Sequence, residues 1–118
     1  MKTHRLVMPG DLNQYGFLFG GKMLSWVDEA CWIAASLDFP DCRFVTIGMD
    51  KVEFHHGVKE GVILSIDCQQ KKLGRTSVRY DVIVSQGKSG KGEAIFSTGV
   101  TFVNISANGE KCVITPSD

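Results

Sequence analysis

The chain has 118 residues, the length of one domain and enough to bury roughly two-thirds of its unfolded surface without staples. Thirteen Lys and Arg balance thirteen Asp and Glu for a formal net charge of zero. That balance excludes the basic excess of a general nucleic-acid or membrane-surface binder. The 43% hydrophobic and 22% charged fractions exclude a disordered chain. Met1-Lys2-Thr3-His4-Arg5 runs into only three apolar residues before Pro9, so no signal peptide is expected. Thr3 to Met8 reads as a short edge strand, and Pro9 to Gly16 is turn chemistry throughout. From about Gly21 to Leu37 the apolar residues Met23, Leu24, Trp26, Val27, Ala30, Cys31, Trp32, Ile33, Ala34 and Ala35 surround a helix on all sides. A helix of that kind is buried in a core or against another chain. Its longest apolar run, Ala30 to Ala35, is far shorter than the roughly 20 residues a membrane span needs.

After Pro40, four runs have strand length and composition: Phe44 to His55, Val62 to Lys71, Thr76 to Ser85 and Glu93 to Ile105. The connections Gly57 to Gly61, Leu73-Gly74 and Gly87 to Gly92 are short and bear glycine, as hairpins require, which predicts a four-strand antiparallel meander. Strands segregated from one helix define an α+β class, with residues 1–118 forming a single domain whose sheet wraps the helix. The four cysteines, Cys31, Cys42, Cys68 and Cys112, contain no C-x-x-C pair and are expected to stay reduced, in a cytoplasmic protein.

Gly16 to Met23 falls one residue short of a phosphate-binding P-loop. Met23 lacks the Mg²⁺-holding hydroxyl, and Phe17, Leu18 and Phe19 crowd the loop, so nucleotide hydrolysis is excluded. What survives is simpler: Gly20 and Gly21 open a helix whose free N–H groups suit an anion or a carbonyl oxygen. Within that helix Asp28 stands among Trp26, Val27, Ala30, Cys31 and Trp32. Read from the residues alone it is equally a functional carboxylate, since a poor helix former in a buried element marks a site, or one half of a solvent stripe with Glu29. Gly21 and Asp28 are seven residues apart, roughly 10 Å along a helix. They therefore do not reach one carbonyl from the same chain, and the spacing predicts a composite site between two subunits. Lys71, Lys72, Arg75 and Arg79 form the densest basic cluster, suited to phosphates or simply a solvated strand end.

Pro9-x-Asp11-x-Asn13-x-x-Gly16-x-x-Phe19-Gly20-Gly21, followed by Trp26-Val27-Asp28, resembles the opening of hot-dog-fold acyl-CoA thioesterases of the bacterial and cytosolic acyl-CoA hydrolase type. Phe44-Val45-Thr46, Phe54, Gly74-Arg75-Thr76-Ser77 and Thr101-Phe102-Val103 continue the resemblance in order. It implies a five- or six-stranded antiparallel sheet wrapped around one long helix, and hydrolysis of acyl-CoA to free acid and coenzyme A. By that resemblance Asp28 activates water or attacks the thioester, Asn13 completes the site from the partner subunit, and the Gly21 N–H polarises the carbonyl. The coenzyme A moiety would lie near Gly74, Arg75, Thr76 and Ser77, with Gly20, Lys71 and Lys72 as further contacts. No metal or separate cofactor is implied, coenzyme A being part of the substrate. The expected assembly is a homo-oligomer: a dimer, or a tetramer or hexamer, with neither nucleic acid nor membrane as partner.

Two departures stand out. His55-His56-Gly57 replace the proline usual after Phe54, and the chain ends soon after Pro116 without a C-terminal helical extension. Alternation on a strand would point the two histidines to opposite faces, giving them a surface or edge role rather than one shared pocket. Two other functions compete: an acyl-CoA hydratase or dehydratase, and a non-enzymatic acyl-CoA-binding module.

Overall fold

The computed structural model describes residues 1–87 and 92–115; Gly90, in the expected Gly87 to Gly92 connection, and Pro116 lie outside them. Period-two patterning builds the sheet. In β4 (Ser77–Gln86), Val78, Tyr80, Val82 and Val84 turn into the core while Ile83 faces out. Around it stand β1 (Lys2–Leu6), β3 (Ile63–Leu73), β5 (Ala94–Asn104) and β2 (Phe44–Phe54), in the spatial order β1-β3-β4-β5-β2. Every neighbouring pair is antiparallel. The nineteen-residue helix α1 (Gly20–Asp38) packs on one face of this sheet.

The helix buries Met23, Trp26, Val27, Ala30, Cys31, Ala34 and Ala35. Their three- and four-residue spacing makes a single stripe, so within one chain the core covers only that face of the helix. Trp32, Ile33 and Leu37 stay exposed on its other face. Under the stripe lie Leu64, Ile66, Tyr80, Val82, Val84, Phe96, Val100 and Phe102, each at most 1% exposed. Cys31 and Cys68 meet there as free thiols, with their sulfurs 3.3 Å apart. The thiol hydrogen bond and burial both push Cys31 above the ordinary thiol range. Among the described residues no helix is long and apolar enough to cross a membrane.

The expected four-strand meander holds only for β3, β4 and β5. Strand β2 pairs with β5 instead of β3, leaving it at the far edge of the sheet. Residues 55–62 are therefore not a hairpin turn: they cross from one edge strand toward the other. Local turn signals mark where strands end but not which strand lies beside which. The burial pattern does carry that information. Eight of the eleven β5 residues are buried, as suits an interior strand, whereas in β2 only Phe44 is buried. Val45, Ile47, Val52 and Phe54 stand 38–60% exposed along that open edge.

Candidate active site

Asp28 sits on the side of α1 that looks toward the start of β2. It is partly buried, and its Oδ1 accepts a hydrogen bond from the Thr46 hydroxyl at 2.6 Å. Thr46 was part of the sequence resemblance but not a candidate residue; a hydroxyl two residues into a strand gives no sign of a carboxylate on a distant helix. Trp32, one turn further along α1, anchors the same corner by donating its indole N–H to the Phe44 carbonyl at 3.0 Å. Together with Ser25 and Glu29 these residues line a shallow cleft of about 270 Å³ open to the β2 edge. Of the two readings of Asp28, the structure supports a carboxylate with a partner, placed at a cleft rather than in the core.

Asn13 belongs to a tight loop before the helix. Its Oδ1 accepts from the backbone N–H groups of Tyr15 (2.9 Å) and Phe17 (3.1 Å), and its own N–H donates to the Phe17 carbonyl at 2.7 Å. Gly16, at φ +85°, supplies the left-handed turn this closure requires. One side of the amide is thus spent on the loop. Among the described residues its Nδ2 has no hydrogen-bond partner. The loop delivers the chain to the helix start at Phe19, which offers no side-chain cap. The Gly20 and Gly21 N–H groups accordingly have no partner among the described residues, and they carry the positive end of the helix dipole. Asn13 and Gly20 line a pocket of about 390 Å³ whose apolar walls include Phe17, Met23, Phe54 and Val58.

His55 and His56 line this same pocket, which corrects the expectation that they face opposite ways. Strand β2 stops at Phe54, so the alternation that would separate them no longer applies. Both remain surface-accessible, with side chains 40% and 49% exposed.

The two half-sites are well separated within one chain. Eight residues of helix put Gly20 and Asp28 about 12 Å apart along its axis. Thr46 and Phe54, which border the two openings, are separated by roughly 25 Å of strand. Asp28 and the Asn13–Gly21 region therefore stand at opposite ends of one edge strand.

The basic cluster divides. Arg79 is committed to carboxylates, its Nη1 lying 2.6 Å from Asp50 Oδ2 and its Nε 3.0 Å from Asp81 Oδ1. The hydrogen bond from Arg79 holds Asp50 below the ordinary carboxylate range. Lys71, Lys72 and Arg75 are exposed and unpaired among the described residues, Lys71 at a register irregularity between β3 and β4. In the turn itself the Gly74 N–H donates to the Ser77 carbonyl at 2.7 Å. The carbonyls of Arg75 and Thr76 accept from Ile114 (2.8 Å) and Asn104 (2.9 Å). That turn shares a sheet end with Phe44 and Asn104, the end that also carries Asp28.

A five-stranded antiparallel sheet around one long helix is a hot-dog fold, and this one carries N–H donors without partners among the described residues at the helix start and a carboxylate two turns on. The family model of the thioesterase superfamily matches residues 15–93. An uncharacterized acyl-CoA thioester hydrolase of Zymomonas mobilis is 31% identical over 113 residues, covering 94% of this chain and 75% of that protein. A hexameric hotdog-fold thioesterase of Campylobacter jejuni superimposes with a TM-score of 0.82 at 36% identity, over 96% of this chain and 88% of the other. The acyl-CoA hydrolase of Staphylococcus aureus, solved with butyryl coenzyme A, coenzyme A and coenzyme A disulfide, superimposes at 0.87 with 25% identity over 100% and 74% of the two chains. The chain belongs to the thioesterase superfamily.

Proposed function

We propose that this protein hydrolyses acyl-CoA thioesters to free acid and coenzyme A, in a site shared between two copies of the chain. The observation that carries the composite site is the split of its chemistry between the two ends of the edge strand β2, whose outer side is unpaired among the described residues. When two such edges pair antiparallel, the Asp28 end of one copy comes beside the Asn13, Gly20 and Gly21 end of the other. The resulting assembly is a homo-oligomer of at least two chains. The relatives of known hexameric assembly favour a larger one built from such pairs.

In this arrangement the Gly20 and Gly21 N–H groups receive the thioester oxygen as it gains negative charge, a contribution of roughly 3 kcal/mol for one well-placed donor. Asn13 Nδ2 is a further donor at the same pocket. Asp28, oriented by Thr46, activates water or attacks the carbonyl carbon. The exposed Lys71, Lys72 and Arg75 beside the Gly74–Ser77 turn suit the phosphates of coenzyme A. Because that turn shares a sheet end with Asp28, it travels with the same copy. The reaction needs no metal or redox group, and coenzyme A enters as part of the substrate. We place the reaction in the cytoplasm, in keeping with four free thiols and the cytosolic human relative.

The test is thiol release from a panel of acyl-CoAs by wild type and Asp28→Asn. A loss of at least about a hundredfold is expected for the variant, and equal rates refute the reading. The histidine pair beside Asn13 favours one competing chemistry, hydration of 2-enoyl-CoA. Loss of the enoyl absorbance from crotonyl-CoA, without thiol release, would establish it.

A further inference from the structure

We propose that His56 is the general acid of this site, protonating the coenzyme A sulfur as the carbon–sulfur bond breaks. The inference rests on the hydrolase reading above and adds to it a residue of the His55-His56-Gly57 segment, where the sequence departs from the resemblance.

His55 still continues the ladder, its N–H donating to the Ile95 carbonyl at 2.9 Å. The chain then leaves the sheet through Gly57. A Cβ at position 57 would stand 2.8 Å from the Phe17 ring, so only glycine lets that aromatic wall close against the segment. The closure brings both imidazoles to the pocket of Asn13 and Gly20. Apart from the two histidines, the residues lining this pocket have no titratable side chain: Phe17, Leu18, Met23, Phe54 and Val58 are its apolar walls. His56 is the oriented member of the pair. Its Nε2 is 3.0 Å from Glu93 Oε1, whereas His55 Nε2 is 3.9 Å from Glu53 Oε2, too long for a hydrogen bond. With Nε2 held by Glu93, Nδ1 is the nitrogen left for a substrate, and a doubly protonated ring donates from it.

The proton balance is simple. Water adds to the carbonyl carbon, its proton passing to Asp28 of the other copy, and the oxygen's charge settles on the Gly20 and Gly21 N–H groups. On collapse the carbon–sulfur bond breaks, sulfur keeps the electron pair, and the His56 proton moves to it. The half-exposed ring recovers a proton from solvent, to which Asp28 releases its own. The gain is modest because thiols ionise near pH 8.5, so unassisted departure as thiolate costs on the order of tenfold at neutral pH.

The experiment measures kcat/KM for butanoyl-CoA, butanoyl-pantetheine and the butanoyl thioester of para-nitrothiophenol, whose thiol is far more acidic. His56→Gln is expected to lose about tenfold on the first two and to stay near wild type on the third. Retained turnover of the aryl thioester also reports that the variant is folded, and His56→Asn with an unchanged thermal midpoint repeats the comparison. Equal loss on all three substrates, no loss on any, or the same selective loss in His55→Gln instead overturns the proposal. Asp28→Asn is expected to lose activity on all three. If it does not, the hydrolase reading itself fails, whatever His56 does.

Discussion

Replacing Thr46 by valine removes one hydroxyl and keeps the branched shape that a strand favours. In the native chain that hydroxyl donates to Asp28 Oδ1 at 2.6 Å, within the short range of hydrogen bonds to a charged acceptor. A bond of this kind contributes roughly 1.5–3 kcal/mol when shielded. The pair lies at a solvent-open cleft, so screening reduces the figure to about 1 kcal/mol. Spent on holding the carboxylate in its reactive direction, about 1 kcal/mol corresponds to roughly a fivefold fall in kcat. Stability should fall by no more than about 1 kcal/mol, the worth of the bond itself, since Thr46 is exposed and its replacement keeps the same shape. The assay is a double-mutant cycle: thiol release by wild type, Thr46→Val, Asp28→Asn and the double variant, with thermal unfolding of each. If Thr46 works only through Asp28, valine costs nothing once Asp28 is already asparagine. A full fivefold loss in the Asp28→Asn background refutes this argument, as does a Thr46→Val enzyme with wild-type kcat.

Two further predictions concern the scaffold. Gly92→Ala places a Cβ 2.3 Å from the Gln86 carbonyl oxygen, and backbone yields poorly, so thermal unfolding should show a loss of roughly 1–3 kcal/mol. Tyr80, 1% exposed and hydrogen-bonded to Asp38 at 2.5 Å, is pushed upward first by burial and then by that bond. Its folded value lies above the unfolded phenol value of about 10, so its contribution to stability is complete below that pH and is lost as pH rises past it. In an alkaline absorbance titration, the part of the phenolate signal that Tyr80→Phe removes should therefore appear only as the fold is lost. Appearance of that signal before unfolding would contradict this.

The elements were legible in the residues to within a position or two: helix 21–37 is Gly20–Asp38, and the run from Phe44 to His55 is Phe44–Phe54. Glycines and prolines mark ends, and apolar density marks interiors, because both act locally. Strand order was not legible. Whether β2 lies beside β3 or β5 depends on contacts far apart in sequence, from Phe54 with Phe96 to Phe44 with Asn104. Among the site residues, Asp28 was conspicuous as a carboxylate in an apolar helix, whereas Thr46 was silent because its partner is eighteen residues away. The histidines were misread for a specific reason: two-residue alternation was extended one step past the last paired residue of β2. Asn13 illustrates the opposite difficulty. Its turn role and its site role draw on different atoms of one amide, so neither reading excluded the other.

The position of β2 links folding to the proposed chemistry. The core formed by α1 with β3, β4 and β5 contains neither half-site. Both border β2, one of the two edge strands, whose outer side, with Ile47 at 60% and Phe54 at 54% exposed, has no cover among the described residues. An uncovered edge of eleven residues is a hazard unless something pairs with it. A second copy pairing antiparallel removes that hazard and closes the distance between Asp28 and the helix N-terminus in the same step. A charge placed at Ile47, on the exposed side of β2, should therefore leave the core fold intact while weakening assembly. Activity should then rise with protein concentration and return to the wild-type level per chain once the copies are driven together. An Ile47→Lys protein that sediments as a monomer yet turns over acyl-CoA at full rate would separate catalysis from assembly and end the composite-site argument.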